Sequence, residues 1–331
     1  MEQKTLGRTG PAVAAIGLGC MGMSELYGAT NDQESLATLN AALDRGVTLL
    51  DSGDFYGMGH NEMLIREALR GRRREEAVLS VKFGILRGPD GGWYGVDTRP
   101  AAIRNSLAYS LKRLGTDYID IYRPARLDPN VPIEDTIGEL ANLVKAGWIR
   151  HIGLSEVGVE TLRRAAAVHP IADLQIEYSL LSRGIEASIL PACRELGIGV
   201  TAYGVLGRGL ISGHFGESGD LAANDFRRSV PRFADGNRER NLALVEALRR
   251  IAAEKQVSVA QLAIAWAGRN AAVVPLVGAR TRVRLDESLA AAGLVLNETD
   301  IARLDALFPP GAAAGERYHP SQMAHLDSER H

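Results

Sequence analysis

Residues 16–50 read IGLGCMGMSELYGATNDQESLATLNAALDRGVTLL. The stretch opens on a short apolar run, Ile16-Gly17-Leu18-Gly19, and closes on another, Val47-Thr48-Leu49-Leu50. Between them, Asp32-Gln33-Glu34 reads as a helix N-cap with an acidic first turn, and Gly46 stands just past the helix end. Two strands joined by a helix make a βαβ unit, whose strands run parallel. Outward from this unit the pattern repeats, with apolar runs at residues 78–81, 119–122, 151–154, 174–176, 200–202 and 273–276. Eight strands in a chain of 331 residues suit an α/β fold, a single closed (β/α)8 TIM barrel, because an open sheet would leave edges to protect. A doubly wound sheet is the competing arrangement.

Upstream of the first unit, Lys4-Thr5-Leu6 and Ala12-Val13-Ala14 flank Gly7-Arg8-Thr9-Gly10, which reads as an N-terminal β-hairpin within residues 1–16. No Pro/Ser-rich linker or low-complexity segment divides the chain, so residues 1–331 read as one domain ending in a C-terminal helix and tail over 297–331. Two longer interruptions, 84–100 and the loop 207–236 after the seventh strand, follow candidate strands. Both are therefore expected at the C-terminal face of the barrel, where active sites lie.

With 46% hydrophobic and 24% charged residues, the chain can bury a sizeable core. A net charge of -2 gives no reason to expect a nucleic-acid or anionic-membrane partner. The run Arg72-Arg73-Arg74, followed at once by Glu75-Glu76, reads as a solvated helix end. No apolar stretch approaches the roughly 20 residues that span a bilayer. Met1-Glu2-Gln3-Lys4 lacks the apolar core of a secretory signal. Cys20 and Cys193 form neither a disulfide framework nor a metal cluster by themselves, so a reducing, cytoplasmic setting without a metal site is the simplest expectation. Whether the chain forms a homo-oligomer is not legible at this level.

Asp51 closes the second strand, Tyr56 follows in the next loop and Lys82 closes the third strand, so the three converge on one rim. A tyrosine is a poor acid near neutrality, with a reference pKa of about 10. A neighbouring ammonium favours the phenolate, and a carboxylate beside it orients that ammonium. Such a trio could protonate a carbonyl oxygen as hydride arrives; the alternative is that the strand-end Asp and Lys form an ordinary salt bridge.

The stretch Asp51-Ser-Gly-Asp-Phe-Tyr56-Gly-Met-Gly-His-Asn-Glu62, with Lys82-Phe83-Gly84 after it, resembles the signature of the aldo-keto reductase superfamily. Further along, Gly115-Thr-Asp-Tyr-Ile-Asp-Ile-Tyr122, Gly153-Leu-Ser155-Glu156, Gln175-Ile-Glu177-Tyr178-Ser179-Leu180, Gly204-Val-Leu-Gly-Arg-Gly209 and Gly315-Glu316-Arg317-Tyr318 fall in the family's order, so the likeness covers nearly the whole chain. The resemblance implies one barrel that binds an extended NAD(P)H without a dinucleotide-binding glycine motif. It implies Tyr56 as general acid, Lys82 lowering its pKa, and Asp51 pairing with Lys82. Ser155 and Gln175 would hold the nicotinamide carboxamide, Tyr203 would stack on the ring, and Met21 and Asp51 would border the cofactor. Gly204, Leu206, Gly207 and Arg208 would form the pyrophosphate-side loop. Arg280, Arg284, Glu287 and Ser288 would meet the adenosine end, and the arginines favour the 2′-phosphate of NADPH over NADH.

One position departs from the pattern. Most of the family ends the fourth strand in a Gln-His-Arg-x-Asp stretch; here it is Pro124-Ala125-Arg126-Leu127-Asp128, placing Ala125 at the histidine. A methyl group neither donates to a carbonyl nor relays a proton, and it leaves room for a water or a bulkier substrate group. Three readings follow: an active enzyme with Tyr56 alone as acid; a catalytically weak NADP(H)-binding redox sensor or regulatory subunit; or a replacement for the histidine. Strand alternation puts Arg123 on the same face as Ala125, two residues deeper, where it could reach Asp51 or Lys82, or pair with a core carboxylate. His60, four residues past Tyr56, and His151, expected near the barrel bottom, offer little rescue. Trp93 and Tyr94 in the first long loop could wall a pocket for a small carbonyl substrate. Small, aromatic and pyridoxal-type aldehydes all remain open as substrates.

Overall fold

The computed structural model describes residues 1–215 and 221–330; positions 216–220 of the 207–236 loop and residue 331 of the tail lie outside the described residues. The chain opens with an antiparallel hairpin, β1 (Gln3–Thr5) and β2 (Ala12–Ala14). There follow β3 (Gly17–Gly19), β4 (Leu49–Gly53) and β5 (Val78–Phe83), then a rim hairpin of β6 (Ile85–Arg87) and β7 (Trp93–Val96). The remaining strands are β8 (Ile119–Pro124), β9 (Ile149–Ser155), β10 (Ile171–Glu177), β11 (Gly199–Tyr203) and β12 (Val273–Gly278). Eight of them, β3, β4, β5 and β8 to β12, form a closed parallel barrel in chain order, and β12 returns to β3 with Val277 opposite Leu18. β10 is buried along its whole length, as expected for a parallel strand covered on both faces.

Helices alternate with the strands: α1 (Asp32–Asp44), α2 (His60–Ala68), α3 (Pro100–Leu114), α4 (Ile133–Ala146), α5 (Val159–Val168), α6 (Ile189–Leu196), α7 (Asn237–Glu254), α8 (Val259–Gly268) and α9 (Arg282–Leu289). α10 (Glu298–Leu307) opens the C-terminal region, capped by Asn297, whose side chain accepts from the amide of Asp300. The cap of α1 is Asn31, one residue before the expected Asp32; its Oδ1 accepts from the amide of Glu34 at 3.0 Å. Both residue types cap well, and the backbone of Asn31, still extended, decides between them.

The N-terminal hairpin closes the bottom of the barrel. Leu6 and Val13 pack against Leu49, Ile121, Val274 and Leu276, and Lys4 Nζ donates to the carbonyls of Gly268 (2.8 Å) and Val273 (3.0 Å). Arg74 corrects the expectation of a wholly solvated Arg72-Arg73-Arg74 run. Its guanidinium is mostly buried, donating to Asp120 Oδ2 at 2.6 Å and to the carbonyls of Ala77 and Tyr118. Arg73 alone of the three is largely in solvent. The stretch 84–100 is not an irregular loop either: β6 and β7 pair within it, Ile85 opposite Val96 and Arg87 opposite Trp93.

Candidate active site

Asp51 lies on β4 and Lys82 on β5, in strands whose register sets Gly53 beside Lys82. Lys82 Nζ donates to Asp51 Oδ2 at 2.5 Å, and both side chains are buried. The other oxygen, Asp51 Oδ1, accepts from Ser80 Oγ at 2.8 Å and from Gln175 Nε2 at 2.7 Å. A carboxylate with three donors is held in one orientation, and so is the ammonium it holds. That ammonium lies 5.1 Å from the centroid of the Tyr56 ring. Burial lowers the Lys82 ammonium from its ordinary value; Asp51 opposes this and Arg123 assists it.

Tyr56 is buried at the start of the tight turn that follows β4, where Gly57 and Met58 both take left-handed backbone angles (φ 55° and 51°). Its ring meets Phe55 edge-on at 4.8 Å, and the two pack with Ala125, bordered by Met21 and Ile85. The methyl group of Ala125 therefore stands beside the phenol. Burial pushes the Tyr56 hydroxyl well above the usual phenol range and Asp51 adds to that, while the positive charge of Arg126 acts the other way.

Arg123 faces the barrel interior and is wholly buried, but it reaches neither Asp51 nor Lys82 directly. Its Nη1 donates to Asp173 Oδ2 at 2.9 Å and its Nη2 to Ser80 Oγ at 2.9 Å. The pairing with a core carboxylate is thus what the fold contains, and Ser80 is the one step between Arg123 and Asp51. His60 hydrogen-bonds Ser24 and Asp32 at the start of α2, and His151 lies half-buried on β9 opposite Ile121.

On the far side of the mouth, Ser155 ends β9 directly opposite Gln175 on β10, so the two expected carboxamide partners are neighbours. Tyr203 ends β11, and its hydroxyl donates to Glu156 Oε1 at 2.7 Å and meets the Tyr318 hydroxyl at 2.8 Å. Gly204 follows with φ 65°, and a Cβ there would come within 3.1 Å of Glu177, so both backbone and space call for glycine. Within the next turn, which holds Leu206 and Gly207, Gly207 bonds back to Gly204. Arg208 donates to Glu177 Oε2 at 2.9 Å and lies 4.4 Å from the Tyr318 ring centroid.

At the start of α9, Arg280 is exposed and donates to the carbonyls of Tyr27 and Ala29. Arg284 bonds Glu287, which also receives His214 Nε2 at 3.0 Å, and Ser288 is buried one residue on. Two guanidinium groups at a capped helix start are a donor set suited to a phosphate ester. Trp93, half-exposed, packs edge-on against Phe55 at 5.7 Å and so borders the Tyr56 side. Tyr94 is 64% exposed, and its hydroxyl donates to Asp90 within its own hairpin.

Several residues at the mouth carry no role in the sequence reading. Glu156 is fully buried with a left-handed backbone (φ 53°), and both its oxygens take donors from Arg317. Burial alone would raise its carboxyl, but Arg317, helped by Arg126 and Ser328, holds it at about 2. Glu177 takes Arg208 and Arg232, and Tyr318 roofs the mouth between Tyr203, Arg208 and Arg126. A charged residue at or just past the end of an apolar run, as in Ser155-Glu156 and Ile176-Glu177, was the available signal. The arginine that answers Glu156 comes 161 positions later, and nothing in the sequence joins them.

A (β/α)8 barrel whose buried charges and phenols gather at the C-terminal ends of its strands is built as an enzyme. The aldo/keto reductase family pattern matches residues 15–308. A probable aldo-keto reductase of Glycine max is 39% identical over 318 residues, covering 95% of this chain and 91% of the relative. Among solved structures, a glycerol dehydrogenase of Gluconobacter oxydans superposes with a TM-score of 0.84 at 26% identity, covering 98% of this chain and 96% of that one. An aldo-keto reductase of Klebsiella pneumoniae in complex with NADPH gives 0.72 at 30% identity, covering 94% and 96%. The chain belongs to the aldo/keto reductase family, and it is an NAD(P)H-dependent oxidoreductase. Among the described residues no helix is long and apolar enough to cross a membrane, and no group of three or more His, Cys, Asp or Glu could hold a metal ion.

Proposed function

We propose that this chain, as one domain, reduces an aldehyde or ketone to the alcohol with NADPH, using Tyr56 as general acid and Lys82 and Asp51 to position and tune it. The observation that carries this reading is the buried chain from Asp51 through Lys82 to the Tyr56 ring, 2.5 Å at its first link and 5.1 Å to the ring centroid at its second. NADPH, when bound, supplies hydride to the carbonyl carbon. The chain's part is the proton. The Tyr56 hydroxyl is protonated at neutral pH, as any phenol is, but burial and Asp51 make it a weaker acid, so its proton is given up only as negative charge develops on the carbonyl oxygen. Lys82 and Arg126 then offer positive charge to the phenolate that remains.

Ser155 and Gln175 would hold the carboxamide, Gln175 exchanging its bond to Asp51 for one to the cofactor, and Tyr203 would carry the ring. Gly204, Leu206, Gly207 and Arg208 would line the pyrophosphate. Arg280 and Arg284, with Glu287 and Ser288, favour NADPH over NADH by their chemistry. Both cysteines are free and buried, which suits the reducing cytoplasm we assign to it.

One observation favours a second reading, a cofactor-binding redox sensor with weak catalysis: beside Tyr56 stands the methyl group of Ala125, which offers a carbonyl no donor. An NADPH-consumption screen over aldehydes and ketones, run beside a titration of cofactor fluorescence, separates the two. Turnover of at least one aldehyde is expected. Tight NADPH binding with no turnover of any compound would replace the reductase with the sensor.

A further inference from the structure

Five cations in and around the barrel mouth each hold a carboxylate: Lys82 with Asp51, Arg123 with Asp173, Arg208 and Arg232 with Glu177, and Arg317 with Glu156. Arg126 differs from all of them. Among the described residues it makes no ion pair within 4.0 Å, and its one hydrogen bond runs from Nη1 to the carbonyl of its own neighbour, Ala125, at 2.7 Å. A guanidinium has five N–H donors, and a partly buried one normally finds acceptors for several of them.

The place of this unspent charge is specific. Arg126 directly follows Ala125, whose methyl packs with Phe55 and Tyr56, and its Cζ lies 5.9 Å from the centroid of the Tyr318 ring. Tyr318 in turn touches the Tyr203 hydroxyl. The Arg126 charge is felt by both Tyr56 and Tyr203, the two phenols that the proposed reaction employs. The field of Glu156 reaches it, and that carboxylate already takes two donors from Arg317. Among the described residues, a positive charge without a carboxylate partner thus stands at the barrel mouth, next in the chain to the alanine that packs with Tyr56.

We infer that Arg126 is an anion subsite of the substrate pocket, and that the preferred substrates are aldehydes or ketones bearing a carboxylate, which the guanidinium receives while the carbonyl oxygen meets Tyr56. This rests on the carbonyl-reductase reading and deepens it by naming the substrate class. Ala125 belongs to the same design: with no histidine donor to place the carbonyl, a charge-assisted, bidentate grip on the far end of the substrate does the placing.

The test compares the 2-, 3- and 4-carboxybenzaldehydes with their methyl esters, which keep the shape and remove the charge. With the wild-type protein and NADPH, at least one acid should exceed its ester in kcat/KM by about 10- to 100-fold, the range of a charge-assisted pair. Arg126→Met should bring that ratio to about 1, and Arg126→Lys, which keeps the charge without the fork, should give an intermediate ratio. The ratio is internal to each protein, so a general loss of activity does not imitate the effect. Acids that never outpace their esters, or a ratio that survives Arg126→Met, would overturn the assignment. Calorimetric titration of the matching carboxybenzyl alcohols onto the NADP+-loaded protein reads the subsite without turnover. Affinity about tenfold or more weaker in Arg126→Met supports it, and equal affinity rejects it. If neither acids nor esters are reduced, the reductase reading falls, and the titration still decides on Arg126.

Discussion

At the N-terminal end of the barrel, Leu6 and Val13 close the opening with aliphatic contacts, and the charges nearby are answered locally. Lys4 spends its ammonium on carbonyls, and Arg74 spends its guanidinium on Asp120, Thr116 and two carbonyls. At the C-terminal end, carboxylates and guanidinium groups are buried together; among the described residues Asp54 Oδ1 and Glu62 Oε1 have no hydrogen-bond partner and Arg126 has no carboxylate. One end is built for stability. The other keeps groups in costly surroundings, which is what chemistry at a water-excluded site requires.

That contrast can be broken from either side. At the bottom, Leu6→Ala removes a fully buried side chain from the plug and should cost about 2–5 kcal/mol of unfolding free energy. Denaturant melts read this, and kcat/KM of the folded fraction should stay within about twofold of wild type. A loss of turnover in step with stability would mean that the two ends are mechanically one.

At the top, Asp54 tests the opposite sign. Burial and the nearby Glu62 push its carboxyl up to about 7, against relief from Arg113. The folded state therefore holds this proton more tightly than the unfolded chain does. Stability from Asp54 is present below the ordinary carboxylate range and is lost as pH rises from about 4 to about 7. Asp54→Asn should raise unfolding free energy at pH 8 by on the order of 1–3 kcal/mol and have little effect below pH 4. Melting both proteins across that range measures it. A variant less stable than wild type at pH 8 would show that the charged form is favoured, and the contrast between the ends would lose its electrostatic half.

The same division governs how much could be read from sequence. Each of the eight barrel strands overlaps the apolar run that announced it, because the strands are mostly buried and leave a hydrophobic signature, although β3 and β4 begin one and two residues later than their runs. The plug was legible too, as two short strands around a glycine-bearing turn. The rim hairpin of β6 and β7 was not: its strands are three and four residues long and mostly exposed, so neither length nor alternation marks them. Within the site, Asp51, Tyr56 and Lys82 come from adjacent strands and one connecting loop, so their convergence follows from topology. Arg317 and Tyr318 meet Glu156 and Tyr203 from more than 110 positions away, and only the closed fold brings them there. Arg126 was visible as a letter in a motif. What distinguishes it, the lack of a carboxylate partner among the described residues where Lys82, Arg123, Arg208, Arg232 and Arg317 each have one, exists only in three dimensions.

The central claim is that the polar end of this barrel works through the Tyr56 hydroxyl. Tyr56→Phe removes one oxygen atom and leaves the ring in its place against Phe55. Aldehyde-dependent NADPH oxidation should fall by about 10²- to 10⁴-fold, the contribution of a positioned general acid, while the NADPH dissociation constant measured by fluorescence stays within about twofold. Turnover equal to wild type would contradict the account and remove Tyr56 as the acid.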